Sequence, residues 1–93
     1  MIISVTDFLG QLRIDDQTLE FWIEEQWLVP TRSEGAPTFS QVDLARAQLI
    51  RDLTEDLGVN AEGVGIVLHL VDQMLGLRRA LGEALKNAGH QSV

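Results

Sequence analysis

Along this chain apolar residues recur at the three-to-four-residue spacing of amphipathic helices, and the pattern breaks once, near the middle. Phe8, Leu9 and Leu12 share one face of a first short helix, which Ser4 or Thr6 can cap. Arg13-Ile14-Asp15 reads as a turn, and Asp15 or Asp16 caps a second helix running to about Gln26, with Leu19, Trp22 and Ile23 in one stripe. Leu28-Val29-Pro30 is an apolar exit. Thr31 to Thr38, with Gly35 and Pro37, has no helical period, and reads as a loop or as a hairpin wing between Leu28-Val29 and Thr38-Phe39. Ser40, with Asp43 three residues on, predicts a capping box for a third helix carrying Val42, Leu44, Ala45, Leu49, Ile50 and Leu53; Leu57-Gly58 ends it. Asn60 caps a long fourth helix to about Ala88, leaving 89–93 as a flexible tail. The fold class expected is all-α with a small wing, in one domain.

The fourth helix carries two apolar rows. One is Val64, Leu68, Val71 and Leu75; the other is Val67, Leu70, Met74, Leu77 and Leu81. A helix packed on one side needs one row, so the second predicts a homodimer through an arm that projects past the three smaller helices. The competing reading is a frayed surface helix.

Composition narrows the function. Ninety-three residues suit a single domain with a modest core. The absence of cysteine excludes disulfides and thiolate metal sites. The opening Met-Ile-Ile-Ser-Val lacks the basic and apolar regions of a secretion signal, and no apolar run is long enough to span a membrane, so a cytoplasmic chain is expected. The net charge is −7, and residues 1–30 hold one base, Arg13, against Asp7, Asp15, Asp16, Glu20, Glu24 and Glu25. A basic protein surface matches that half of the chain better than a phosphate backbone does.

The segment Thr18-Leu19-Glu20-Phe21-Trp22-Ile23-Glu24-Glu25-Gln26-Trp27-Leu28-Val29-Pro30 resembles the second helix and exit of the MerR-type winged helix-turn-helix family, where Thr-Leu-Arg-Tyr-Tyr-Glu-Arg-Glu-Gly-Leu-Leu-x-Pro is typical. Phe39-Ser40-x-x-Asp43-Leu44 resembles the stretch after that family's wing. The resemblance covers roughly residues 3–70 and implies a MerR-like winged frame. The departures fall on its DNA face. Glu20 and Glu24 stand where the family has arginines, and Pro37 where it has the basic residue at the end of the wing. Each exchange removes a phosphate contact and the counterion release that goes with it.

One branch of that superfamily is similar in just this way. Leu57-Gly58-Val59-Asn60-x-x-Gly63-Val64-x-x-Val67-Leu68-x-Leu70-Val71-Asp72-x-Met74 resembles the characteristic segment of CbpM-type chaperone modulators. The resemblance implies an inhibitor that occupies the J-domain of a DnaJ-like, CbpA-type co-chaperone and keeps it from its Hsp70 partner and from DNA. Asp72 enters the candidate site only through that segment, and a structural role is equally open for it. From the residues themselves, Gln17, Glu20, Phe21 and Glu24 share the face of the second helix opposite its apolar stripe. With Asp15 and Asp16 they form the candidate partner-binding set, suited to a basic surface with apolar gaps. Phe21 packs beneath the wing in the competing reading.

Other constellations carry less chemistry. The carboxylates at 15/16, 24/25 and 52/55/56 are sequence neighbours that point apart on a helix rather than an acid/base dyad, so no catalytic residue is assigned. His69 reads as a buried or interfacial structural residue and His90 as solvated. No metal, cofactor or nucleic acid is expected. Gly63 and Gly65 suggest close helix packing near Leu12 or Leu53, and Trp22 and Trp27 read as core. The alternative function is a MerR-type DNA-binding regulator, whose basic surface would need Arg32, Arg46 and Arg51.

Overall fold

The computed structural model describes residues 2–33 and 35–91. The chain runs β1 (Ile3–Ser4), α1 (Val5–Leu12), α2 (Asp16–Glu24), β2 (Thr31–Ser33), β3 (Ala36–Phe39), α3 (Gln41–Arg51) and α4 (Ala61–Gln91). A π-helical turn, Asp52–Asp56, extends α3.

The caps follow the side chains. The Ser4 hydroxyl accepts from the Asp7 amide and starts α1; Asp15 accepts from the Thr18 amide and starts α2. At Ser40 the capping box is complete: its hydroxyl accepts from the Asp43 amide at 3.2 Å, and the Asp43 carboxylate accepts from the Ser40 amide at 2.9 Å. Gly58, at φ +64°, turns the chain between the π turn and α4. Gln26 also takes a left-handed conformation, φ 62°, just after α2, where its Cβ is crowded and a glycine would be less strained.

The all-α expectation is too narrow. A three-stranded sheet in the order β1-β3-β2 joins the chain's start to its wing, with Ile3 opposite Phe39 and Ser4 opposite Thr38. Two residues are too few to show a strand period in sequence, so β1 is not visible there. The wing itself is a hairpin, but its first strand begins at Thr31, after Pro30, rather than at Leu28-Val29. Pro37 lies in the central strand opposite Arg32, beyond the two residues that β1 reaches, so its lack of an N–H leaves no β1 bond unmade.

The core gathers Ile3, Phe8 and Leu12, Leu19 and Trp22, Trp27 and Leu28, Phe39, Leu44, Ala47, Ile50 and Leu53, and Val64 and Leu68 from α4. Phe8 and Phe39 stack with ring centroids 3.9 Å apart, fastening α1 to the sheet. On α3 the buried small residue is Ala47; Val42 and Ala45, expected inside, are exposed.

Only the first turns of α4 join this core. Val64 and Leu68 are buried, and Val67 and Val71 half-buried, whereas Leu70, Met74, Leu75, Leu77, Leu81 and Leu85 are exposed. Val67, expected on the partner-facing row, therefore packs on its own domain. At about 1.5 Å per residue the helix is some 46 Å long, against a longest molecular extent of 54 Å. It stays helical to Gln91, past the end expected at Ala88; residues 92 and 93 of the expected tail lie outside the described residues, as does the His90 side chain. No helix among the described residues is long and apolar enough to cross a membrane.

Candidate functional site

The N-cap at Asp15 sets the phase of α2. With Leu19 and Trp22 buried, Asp16, Glu20 and Glu24 fall at successive four-residue steps on the side of α2 facing the wing. There a cleft of about 510 Å³ opens between the two elements. Asp16, Glu20 and Glu24 form its acidic side, Arg32 and Pro37 its wing side, and Val5, Leu19, Ile23 and Phe39 add apolar lining. The three carboxylate residues are exposed, and no ion pair joins them to Arg32 or to any other described base. The chain thus presents net negative charge around an apolar floor.

The remaining residues of the predicted set separate. Gln17 and Phe21 are exposed on α2 but do not line the cleft. Phe21 keeps 45 % of its surface exposed and meets Trp27 edge-on, centroids 5.6 Å apart, so it is braced by the tryptophan and not tucked beneath the wing. Asp15 serves the backbone. The Thr18 side chain and amide both hydrogen-bond to its carboxylate and hold its pKa below the ordinary 3.8.

Asp72 is elsewhere again, on α4. Its two carboxylate oxygens accept from the Arg46 guanidinium at 2.7 and 3.2 Å, while Arg46 Nε donates to the Trp27 carbonyl at 2.6 Å. One guanidinium thus joins the exit of α2, the middle of α3 and α4 about three turns from its start. Nothing in the sequence pairs residues 26 positions apart, so this clasp is legible only in three dimensions. It also removes Arg46 from the basic surface that a DNA-binding reading needs. Arg51, also needed there, has its Nε 3.2 Å from Glu55, within ion-pair range but without hydrogen-bond alignment. Of the three arginines, Arg32 alone faces outward without an ion pair among the described residues.

The helix glycines pack differently from expectation. A Cβ at Gly63 would lie 2.6 Å from Val59 Cγ1 and 3.1 Å from Asn60 Oδ1, so this glycine fits the cap of α4 rather than Leu12 or Leu53; Gly65 faces the Trp27 indole nitrogen. His69, expected to be buried or interfacial, is exposed in this chain and lies 3.4 Å from the Gln73 amide. Among the described residues no group of three His, Asp or Glu side chains is placed to hold a metal ion.

The sequence matches the family model described as MerR HTH family regulatory protein over residues 3–87. No curated protein and no solved structure matches it.

Proposed function

This chain belongs to the MerR helix-turn-helix regulatory family, and on that premise we propose that it uses the frame to bind a basic protein, the J-domain of a DnaJ-like co-chaperone, and so acts as a chaperone modulator. The observation that carries the reading is the acidic wall of the cleft: Asp16, Glu20 and Glu24 stand on the side of α2 facing the wing, with a single guanidinium opposite. A phosphate backbone is repelled by such a surface, whereas a basic protein gains by covering it. The segment Leu57–Met74, which resembles that of CbpM-type modulators, supports the choice of partner. Inhibition follows by competition, since a J-domain whose basic surface is covered cannot present it to Hsp70.

The exposed apolar face of α4 belongs to the same proposal. Leu70, Met74, Leu77 and Leu81 lie outside the chain's own core, and two copies of the helix pairing there would bury them.

The functional test is the ATPase of an Hsp70 stimulated by its J-domain co-chaperone. Added chain is expected to suppress the stimulation and leave the basal rate alone. Unchanged stimulation at saturating chain would overturn the reading.

A DNA-binding regulator is the second reading, and the family match is what favours it. Against it stand the two committed arginines, Arg46 and Arg51. Fluorescence anisotropy with duplex DNA at low salt separates the two readings: the modulator predicts no binding, and a regulator predicts binding that weakens steeply with salt.

A further inference from the structure

We propose that the cleft between α2 and the wing receives a partner helix carrying arginine or lysine at four-residue spacing, with the aliphatic stems on the apolar floor and the charged heads against Asp16, Glu20 and Glu24. The inference rests on the reading of this face as the protein-binding one and adds the shape and spacing of what it binds.

Two features of the groove select this occupant. The first is its mixed lining. Leu19, Ile23, Phe39 and Val5 provide an apolar surface, and the carboxylates rise from one side of it. A side chain that is apolar along its length and cationic at its tip satisfies both parts at once, which arginine and lysine do and no other residue does. The second is periodicity. The carboxylates repeat every four residues along α2, about 6 Å apart and about 12 Å from first to last. A helix laid alongside α2 repeats its own i, i+4 side chains at the same interval and stays in register, whereas the same-side residues of an extended strand repeat at roughly 6.6 Å and drift about 1 Å out of register across the groove. Arg32 on the opposite wall is the chain's own cation in the groove. It makes no ion pair among the described residues, so it weakens the local potential that an incoming cation meets.

The probes are three blocked alanine-glutamine helical peptides of equal length. One carries three arginines at i, i+4 and i+8, one carries the same arginines on three different faces, and one carries norleucine at the in-phase positions. Each is titrated into the full-length ¹⁵N-labelled chain and followed by amide shifts. The in-phase arginine peptide is expected to shift Leu19, Glu20, Ile23, Glu24, Arg32 and Phe39, binding about fivefold more tightly than the dispersed one, as two or three exposed ion pairs would give. Norleucine is expected to bind more weakly still. Glu20→Gln/Glu24→Gln should reduce the arginine peptide to the norleucine level. Arg32→Gln should tighten it about twofold, a gain that impaired folding could not produce. Equal binding of all three peptides, or shifts confined to other surfaces, would overturn the proposal. A J-domain titration of the same sample keeps the two claims apart. J-domain binding with a silent groove overturns this inference and leaves the proposed function standing. In-phase peptide binding without J-domain binding does the reverse.

Discussion

Single side chains at the edges of α2 do unlike jobs within a few residues of one another. Asp15 holds the helix's first turn, and its carboxyl is kept below its ordinary value chiefly by the hydrogen bonds from Thr18. A group whose folded-state pKa is depressed adds stability above its unfolded value and loses it as the pH falls toward the folded one. Acid unfolding followed by circular dichroism should therefore show a stability loss as the pH drops through and below the ordinary carboxyl value. Asp15→Asn should keep most of the cap while removing that part of the pH dependence, since asparagine caps nearly as well. At the other end, Gln26 bears a left-handed backbone where the family motif has glycine. Gln26→Gly is expected to stabilise the chain by about 0.5–1 kcal/mol in urea unfolding; a loss of stability would mean that the glutamine side chain is itself a structural contact. Arg46 and Asp72 form a bidentate pair, but Asp72 is 55 % exposed and Arg46 also bonds a main-chain carbonyl. Asp72→Asn should thus cost about 0.5–1 kcal/mol and Arg46→Met more, because the latter also strands the Trp27 carbonyl. Equal costs in the same unfolding assay would show that the Trp27 bond adds nothing.

At the level of elements, local chemistry was readable where side chains act on their own backbone. Ser40 with Asp43, Asp15 before α2 and Gly58 before α4 each appear in sequence as caps or stops, and each does that work in the fold. What stayed hidden depends on partners distant in the chain. β1 exists because Phe39 lies beside Ile3, and the Arg46–Asp72 clasp because α4 crosses α3. The candidate site divides along the same line. The carboxylates of α2 were legible from spacing, but the opposing wall of Arg32 and Pro37 was not, because only the folded wing brings it there. The glycines of α4 offer a direct check on this element. Gly76 and Gly82 have open space around a would-be Cβ, and Gly63 does not. Gly76→Ala and Gly82→Ala should each stabilise the helix by about 0.5–1 kcal/mol, while Gly63→Ala should destabilise it, with thermal melts reading the opposite signs.

The whole molecule is a small core with a long helical arm, and its surface divides by chemistry: carboxylates beside the wing, leucines along α4. If that arm pairs with a second copy, Leu77→Asp/Leu81→Asp should turn a dimer into a folded monomer in sedimentation, whereas Val67→Ala, which trims the chain's own core, should lower the melting temperature without changing the mass. In the proposed function the charge of the whole chain, −7, selects a basic partner, and the acidic face of α2 is where that partner is proposed to dock. Calorimetric titration with a J-domain co-chaperone at low and moderate salt, with Glu20→Arg/Glu24→Arg in parallel, tests that claim most directly. Binding is expected to weaken with salt and to disappear in the double variant. Binding of undiminished strength in the charge-reversed variant would contradict it, because the acidic wall of the cleft would then have no part in recognition.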